Sequence, residues 1–587
     1  MSLSRTVISI LSKDDRNRVN LSSKLIIASI VTVAVLATVA FAFFGCSGVG
    51  VSHLHENGVV ATSSPVATRI GLQVLQQGGN AFDAAVAVGF ALAVAYPEAG
   101  NIGGGGFALV YEAESGQVRA LDFRETAPAA ATEKMYQTPK GDVIPNASTL
   151  GAKAAGVPGT VAGLHVLWKE YGSRTWEELV TLAAELADSG LIVDNHLAAS
   201  LDDYQDSLTT FTSTAAIFAP GGRILKAGDR LVQTDLANTL SAIATDGPDG
   251  FYSGETAQRI IDCMKEHGGI ISAEDLTGYQ PVWREPLSFD FGPLKVYSMP
   301  PPSSGGICLG QILKLLEPYD FSVYSATSPE YIHLFCEAAK LAYADRSEHL
   351  GDPEFWTVPD KLLDKNYLDS RRRLIDSTQA RPSDQVRPGI FGSESDQTTH
   401  FSILDADGNI VSMTYTINTT FGSKLVVDGA GFLLNNEMDD FSIKPGEPNV
   451  FGLVGGEANK IEPGKRMLSS MSPTIVFRSG KPCLVLGSPG GSKIITTVAQ
   501  TIINIERFGM SLQEAVDQPR YHHQWLPDIV YLEEGKFSIQ TKQGLIGMGH
   551  VIKERTPFGD VQAIMIRSDG LYEGASDPRE NGLALGY

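Results

Sequence analysis

The sequence contains little positive charge, and this shortage excludes whole classes of function. Basic side chains number 46 against 67 acidic ones in 587 residues, so the formal net charge is −21. Such a charge repels phosphate backbones, and no run of five or more lysines and arginines occurs, so nucleic acid is not an expected partner. Only 19% of the residues are charged and 43% are hydrophobic, which excludes a disordered chain.

Motifs for metal ions and redox chemistry are also missing. No cysteine belongs to a C-x-x-C pair or to a zinc-finger arrangement, and H-E-x-x-H is absent, so we expect no metal and no cofactor. The histidines His53, His55, His522 and His523 have no acidic or histidine partners at helical spacing, and we expect them to be structural. The five cysteines are Cys46, Cys263, Cys308, Cys336 and Cys483.

Two glycine-rich runs match no nucleotide-binding motif. Gly103–Gly106 lacks the G-x-G-x-x-G spacing, and in Gly487–Ile494 Ser492 stands where a Walker A motif requires glycine before the lysine. Taken alone, each run is as compatible with a tight structural turn as with backbone N–H groups that face a ligand.

The N-terminal region contains an uncharged apolar segment from Leu25 to Phe44, which is 20 residues long. At about 1.5 Å per residue, this length spans the roughly 30 Å hydrocarbon core of a bilayer. Basic residues precede the segment, so we expect an exported protein, periplasmic or at the cell surface and tethered to the membrane. Residues 1–46 are therefore assigned as an uncleaved anchor, a cleaved signal, or a lipoprotein signal ending at Cys46.

The remaining chain shows alternating helical and strand patterns. Asn80, with Asp83 three residues later, predicts the start of an apolar helix that is buried in the protein centre. A segment rich in Pro, Gly, Ser and charge, Ser377–Gln397, predicts an exposed and cleavable loop. Other predicted helices are 65–77, 176–189 and 329–345, and the predicted strands are 107–111, 399–404 and 410–417, the last two joined by a turn around Asp407-Gly408.

Thr398 stands where the polar loop meets the first strand of this hairpin. A cut between Gln397 and Thr398 would give Thr398 a free α-amino group, whose pKa of about 7.7–8.0 allows it to take the proton of its own hydroxyl. One residue would then supply both nucleophile and base. From this segment alone, however, the preferred interpretation is a threonine pair that simply begins a strand.

A set of motifs along the chain changes that preference. From about Gly58 to the C-terminus, the sequence resembles the γ-glutamyltranspeptidase family. The resemblance implies an N-terminal-nucleophile hydrolase with a four-layer αββα sandwich, made as a precursor that cuts itself into a large subunit (47–397) and a small catalytic subunit (398–587). The two subunits would remain together as one composite domain. The motifs are DFRETAPA (122–129), PPPSSGG (300–306), DQTTHFS (396–402), TYTINTTFG (414–422), LLNNEMDDFS (433–442), LSSMSPT (468–474), GSPGGS (487–492) and GASDPRENGLALGY (574–587).

The resemblance also implies a role for individual residues. Thr398 would be the nucleophile, Thr416 the residue that orients it, and the N–H groups of Gly490 and Gly491 the oxyanion hole. Arg124 would bind the α-carboxylate of a γ-glutamyl group, assisted by two serine hydroxyls. The assisting serines are Ser469 and Ser470, and the groups that would receive the α-ammonium are Asn418, Glu437 and Asp440.

The implied function is an exported, autoprocessing γ-glutamyl hydrolase/transpeptidase. It would cleave glutathione and related donors through a γ-glutamyl-threonine ester, and water, an amino acid or a dipeptide would accept the glutamyl group. Residues 444–456 resemble the family's lid, although Phe451 stands where many bacterial members have tyrosine. The alternatives are an acylase of the same fold, an enzyme that processes poly-γ-glutamate, and an uncleaved, tethered binding protein.

Overall fold

The structure, a computed structural model, describes residues 54–387, 398–444 and 456–587. Several predicted features therefore lie outside the described residues, namely the apolar segment 25–44, Cys46, Gln397 and Phe451. Within the described ranges, no helix is both long and apolar enough to cross a membrane.

Two seven-stranded sheets form the centre of the molecule. In sheet I the neighbouring strands are, in order, β19 (Leu583–Gly586), β2 (Val59–Thr62), β10 (Thr399–Leu404), β11 (Ile410–Thr416), β3 (Gly105–Glu112), β4 (Gln117–Phe123) and β7 (Val282–Arg284). In sheet II they are β1 (Leu54–His55), β18 (Tyr572–Ser576), β17 (Gln562–Ile566), β13 (Lys481–Gly487), β12 (Thr474–Arg478), β9 (Leu294–Ser298) and β8 (Leu287–Phe291). Two smaller sheets contain β14 (Tyr521–His522), β15 (Val530–Glu533) and β16 (Ile552–Arg555), and β5 (Leu191–Ile192) and β6 (Arg230–Leu231).

Helices cover the outer face of each large sheet. One hydrophobic core joins sheet I to the helices between residues 65 and 278, and another joins sheet II to those after residue 304 and fills the space between the sheets. The predicted four-layer αββα sandwich is therefore confirmed. The α-helices of the described residues are α1 (Pro65–Gln76), α2 (Ala81–Ala95), α3 (Thr160–Tyr171), α4 (Trp176–Ser189), α5 (Asn195–Asp203), α6 (Gln205–Leu208), α7 (Thr212–Phe218), α8 (Thr234–Asp246), α9 (Asp249–Tyr252), α10 (Gly254–His267), α11 (Ala273–Gly278), α12 (Gly305–Leu316), α13 (Pro329–His349), α14 (Lys365–Arg372), α15 (Ser492–Phe508), α16 (Leu512–Asp517) and α17 (Ile539–Gly547).

Helix α2 is the buried apolar helix that the sequence predicts. The Asn80 side chain accepts hydrogen bonds from the N–H groups of Phe82 and Asp83, and the Asp83 carboxylate accepts one from the Asn80 N–H. This capping box satisfies N–H groups that would otherwise be unpaired at a buried helix start. Every residue from Ala81 to Val94 is buried, so the helix is a central support for sheet I.

Each of the two large sheets contains strands from both sides of residue 397. In sheet I, β10 lies between β2 and β11, so a strand of the C-terminal part pairs directly with a strand of the N-terminal part. In sheet II, the N-terminal strands β1, β8 and β9 flank four strands from the C-terminal part. A cut between residues 397 and 398 would therefore leave two chains that share both sheets.

The hairpin of β10 and β11 sets the position of Thr398, which directly precedes β10. Its register pairs Thr399 with Tyr415 and Leu404 with Ile410. The Asp405 side chain accepts hydrogen bonds from the N–H groups of Asp407 and Asn409 and so closes the turn. The predicted hairpin is confirmed, with the turn where the sequence places it.

Candidate active site

Thr398 and Thr416 lie side by side at the open end of the hairpin. Since Thr399 pairs with Tyr415, the next pair along the register is Thr398 opposite Thr416. Thr398 is only 5% exposed, and both threonines line a small cavity with about 180 Å³ of empty space. The Thr416 hydroxyl accepts a hydrogen bond from the Asn418 N–H at 2.7 Å, which fixes its oxygen at the strand end.

The first glycine run packs behind this pair. A Cβ on Gly104 would lie 1.9 Å from the Thr416 carbonyl oxygen, and one on Gly106 would lie 2.4 Å from the Thr414 carbonyl oxygen. Glycine is therefore required for the close approach of β3 to β11. Gly103–Gly106 therefore packs against protein backbone and enters β3, and none of its residues lines the cavity.

His400 packs β10 against sheet II. Its ring nitrogens contact the hydroxyls of Thr414, at 2.8 Å, and Ser402, at 3.1 Å. Burial lowers the pKa of His400 to about 3, so the ring is neutral at physiological pH. A Cβ on Gly487 would lie 2.3 Å from this ring, which explains the glycine at the end of β13. The imidazole thus acts as a spacer between the two sheets.

The second glycine run connects β13 to the start of α15. Gly490 and Gly491 have φ angles of 123° and 53°, a region that strongly favours glycine. Gly491 precedes the first residue of α15 and lines the cavity, whereas Gly490 does not. Among the described residues, none accepts a hydrogen bond from either N–H group. Unpaired N–H groups at a helix start are suited to stabilise a negative oxygen.

The cavity is also lined by an arginine that faces three carboxylates. We call this group the clamp cluster: Arg124, Glu125, Glu437 and Asp440. Arg124 follows β4 and is 1% exposed. Its Nη1 lies 2.7 Å from Glu437 Oε2 and 3.6 Å from Glu125 Oε2, and its Nη2 donates to Asp440 Oδ2. The Nε donates to the Met467 carbonyl oxygen at 3.3 Å. The sequence analysis did not single out Glu125.

The clamp cluster has more carboxylates than its arginine can neutralise. Burial raises the pKa of Glu125 to about 8 although the Arg124 guanidinium opposes the shift. Burial, against the same opposition, also raises the pKa values of Glu437 and Asp440. Both oxygens of Glu437 and of Glu125, and Oδ1 of Asp440, accept no aligned hydrogen bond from the described residues. Buried acceptors without donors are costly, and a ligand that brings donors would reduce this cost.

The predicted serines lie beside the clamp cluster and are held by a second buried arginine. Ser470 Oγ accepts from Arg346 Nη2 at 3.1 Å, and Arg346 Nε donates to Ser304 Oγ at 2.7 Å. The Ser304 N–H in turn donates to the Ser469 carbonyl oxygen at 2.6 Å. Sequence reasoning missed Arg346. Arg346 lies near the end of α13, a helix that is buried on nearly every face. A charged residue in such a helix indicates a buried polar contact.

Most of the residues that the sequence singles out meet at this cavity. Of the predicted catalytic and binding residues that are described, only Gly490 does not line it. Gln397 and most of the predicted lid lie outside the described residues. The neighbouring histidines His522 and His523 form hydrogen bonds away from the cavity. His522 contacts Thr496 and Gln524, and His523 contacts Asp528. The cavity lining is Arg124, Thr398, Thr416, Asn418, Glu437, Asp440, Ser469, Ser470, Met471, Gly491 and Ile494.

Comparisons with known proteins agree with one another. The family model described as γ-glutamyltranspeptidase matches residues 67–587. The glutathione hydrolase proenzyme of Escherichia coli is 49% identical over 91% of this chain and 92% of its own length. The crystal structure of cephalosporin acylase from Bacillus halodurans has a TM-score of 0.82 at 29% identity and covers 93% of this chain and 98% of its own. That of Helicobacter pylori γ-glutamyltranspeptidase has a TM-score of 0.55 at 45% identity and covers 55% of this chain and 93% of its own.

Proposed function

The chain belongs to the γ-glutamyltranspeptidase family, and from this premise we propose how its residues carry out γ-glutamyl hydrolysis and transfer. The enzyme is made as a proenzyme. It cuts itself between Gln397 and Thr398 into a large subunit, 47–397, and a small subunit, 398–587, which stay together as a heterodimer. The strands shared between these two parts in both sheets support this proposal. The donor is glutathione or another γ-glutamyl compound.

Self-cleavage begins at the hydroxyl of Thr398. The oxygen attacks the carbonyl carbon of Gln397, the amide C–N bond breaks, and the hydroxyl proton ends on the departing nitrogen. Water then hydrolyses the resulting ester, which leaves a carboxylate on Gln397 and a free amine and hydroxyl on Thr398. A rigid strand start favours this reaction, because the hydroxyl must stay close to the bond that it attacks.

In the mature enzyme the new amine acts as the base. It takes the proton of the Thr398 hydroxyl while the oxygen attacks the γ-carbonyl of the donor. The N–H groups of Gly490 and Gly491 stabilise the oxyanion, and each such donor contributes about 3–4 kcal/mol to catalysis. The amine of the donor leaves with the proton, and a γ-glutamyl ester remains on Thr398. Water releases glutamate from this ester, or the amine of an amino acid or dipeptide takes the glutamyl group.

The clamp cluster selects the glutamyl group by its two charged ends. Arg124 binds the α-carboxylate through its planar guanidinium, with Ser469 and Ser470 beside it. The α-ammonium brings the donors that Glu437 and Asp440 lack, and Asn418 assists. When it binds, the α-ammonium forms an ion pair with these carboxylates. Neither a peptide α-amide nor a simple acyl group offers both charges.

One observation carries the proposal more than any other. A single cavity is lined at once by the nucleophile Thr398, by Gly491 at the start of α15, and by Arg124 with its surplus of carboxylates. A carbonyl held at Thr398 would therefore have an oxyanion donor on one side and a site for a zwitterion on the other.

Export and a membrane tether belong to the same proposal. They are supported by the apolar segment 25–44 with its preceding basic residues, and by Gly45-Cys46, which resembles the end of a lipoprotein signal except for the bulky residues at 43 and 44. A tethered periplasmic or cell-surface enzyme would meet γ-glutamyl compounds outside the cytoplasm.

The test compares purified protein with the Thr398→Ala variant by denaturing mass analysis. The unmutated protein should give a fragment that begins at Thr398, and Thr398→Ala should remain a single chain without turnover. Without the Thr398 hydroxyl, neither the acyl shift nor the γ-glutamyl ester can form, so turnover should fall by more than about a thousandfold. An uncut wild-type chain after incubation at neutral pH would instead favour the uncleaved binding protein.

An acylase is the second candidate, because the structure with a TM-score of 0.82 is named a cephalosporin acylase. Two anilides of otherwise equal shape distinguish the candidates, namely a γ-glutamyl anilide and a glutaryl anilide that lacks the α-amine. A γ-glutamyl enzyme should prefer the first by about a hundredfold or more, since the second leaves Glu437 and Asp440 without an ammonium. Equal turnover of the two compounds would favour the acylase.

A further inference from the structure

A second group of buried polar side chains lies on the helix that carries Arg346, two to four turns closer to its start. His333 and Glu337, four residues apart on α13, face His550, which follows α17. One donor atom from each of these residues lies within 4.8 Å of the others, and all three residues are buried. Nothing in the proposed reaction uses them.

The hydrogen bonds of His333 fix its tautomer. Its Nε2 lies 2.7 Å from the Asp376 carbonyl oxygen, and because a carbonyl oxygen can only accept, this nitrogen carries the proton. In the neutral ring, Nδ1 then directs a lone pair at His550, whose Nε2 lies 2.8 Å away. An imidazole that donates its far N–H to a carbonyl is the arrangement usual for a histidine bound to a metal.

The carboxylate of Glu337 keeps a lone pair available on each oxygen. Its Oε1 accepts from the Lys340 ammonium at 2.8 Å, and its Oε2 accepts a single long bond from the Arg381 N–H at 3.2 Å. Lys340 is also held by the Arg381 carbonyl oxygen at 2.6 Å and lies 3.4 Å from Asp528. Two carboxylates thus share one ammonium, and the group has a net negative charge that a divalent cation would neutralise.

We infer that His333 Nδ1, His550 Nε2 and one oxygen of Glu337 bind a divalent transition-metal ion of the zinc class. Two imidazoles and a carboxylate are a common protein ligand set for this ion. At a zinc–nitrogen distance of about 2.0–2.1 Å, the two ring nitrogens would separate by about half an ångström from their present contact. The proton on His550 Nε2 would move to Nδ1 of the same ring, so that Nε2 has a lone pair for the ion.

The position of this site gives the ion a structural role. His333 and Glu337 belong to the proposed large subunit and His550 to the small one, so a bound ion would join the two chains after cleavage. The segment that covers the group is the approach to the cleavage site, because Ala380 and Gln379 both donate to the Met548 carbonyl oxygen. The ion would therefore also lie beside Gln379, Ala380 and Arg381 of the large subunit, the last of which donates its N–H to Glu337.

The experiment measures zinc in the mature heterodimer, purified without a histidine tag, equilibrated with Zn²⁺ and then dialysed. Wild type should retain about one ion per heterodimer. His333→Gln and His550→Gln, which keep a hydrogen-bonding side chain, should retain at least about tenfold less. His267→Gln alters an exposed histidine and is the matched control that should keep the ion.

Co²⁺ supplies a second measurement that does not depend on the folding of any variant. Wild type loaded with Co²⁺ should show the absorption of a four-coordinate ion, and zinc should raise its thermal midpoint. The inference is overturned if wild type holds less than about a tenth of an equivalent of zinc, or if both glutamine variants fold, process and hold as much as wild type. In that case the two rings simply share a proton.

Discussion

Two clusters of buried arginines and carboxylates differ in their balance of charge. The second, which we call the C-terminal cluster, consists of Arg520, Glu533, Asp577 and Arg579. Here two guanidiniums face two carboxylates: Arg579 donates to both oxygens of Glu533 and to Asp577, and Arg520 donates to Asp577. No side-chain nitrogen or oxygen of this cluster is unpaired within the described residues. Around Arg124, by contrast, one guanidinium faces three carboxylates.

The contrast shows how a buried ionic group can be either structural or functional. A balanced and fully hydrogen-bonded cluster positions the chain and needs nothing more. A surplus of buried acceptors lowers stability unless a ligand or a proton supplies the missing donors. The clamp cluster holds protons when it is free and, as we propose, an ammonium when the donor is bound. The following predictions test this division.

The largest effect should come from Arg124→Met. Loss of the guanidinium removes the partner of the donor α-carboxylate, and truncation of such a buried charge pair costs about 4 kcal/mol, or about a thousandfold in kcat/KM. Self-cleavage should continue, because its substrate is the chain itself. Steady-state kinetics with a γ-glutamyl anilide and a denaturing gel measure the two outcomes. Unchanged kinetics would remove the clamp from the proposal.

Arg520→Met should lower stability and leave turnover unchanged. Removal of one partner leaves Asp577 buried with too few donors, which costs about 3–5 kcal/mol in the free energy of unfolding. The KM for the anilide should stay at the wild-type value. Urea unfolding of the uncleaved Thr398→Ala chain, with and without the change, measures the loss. If the Arg520→Met protein is not recovered in folded form, Arg579→Lys is a milder substitution that tests the same hydrogen bonds in the C-terminal cluster.

Sequence reasoning could predict the local elements that surround the site. The hairpin follows from two alternating apolar runs and a turn at Asp407-Gly408, and helix α2 follows from its cap and its apolar composition. Helix α13 is an instructive miss, because it was predicted to end at Asp345 and in fact continues to His349. A run of charged residues usually indicates a solvated helix end. Here Asp345 is buried and paired with Arg371, so tertiary contacts override the pattern.

The composition of the site could be predicted only in part. The family resemblance names Arg124 and Glu437, yet no local pattern in the sequence indicates that these two residues form an ion pair. Arg346 and Glu125 were missed because their roles depend on burial, which results from the packing of distant segments. A zinc-class site at His333 was missed for the same reason, since His550 lies 217 positions away along the chain.

The smallest effect should be the contribution of the clamp cluster to the dependence of stability on pH. The pKa of Glu125 rises from 4.5 to about 8 on folding, so between these values the folded chain holds a proton that the unfolded chain has lost. The stabilising effect of this proton is complete below pH 4.5 and disappears as pH rises through about 8. The free energy of unfolding should fall by up to about 1.4 kcal/mol per pH unit in that window.

Glu125→Gln, compared with Glu125 in the uncleaved Thr398→Ala chain, isolates this contribution. The glutamine side chain keeps the shape of a protonated carboxyl, so the free energy of unfolding should fall less steeply with pH in the variant. The variant should therefore gain most stability relative to Glu125 near pH 8. Urea midpoints at pH 5.5 and pH 8 measure the difference. Equal slopes would mean that Glu125 is ionised beside Arg124. The clamp cluster would then have a net negative charge, whereas the two arginines of the C-terminal cluster balance its two carboxylates.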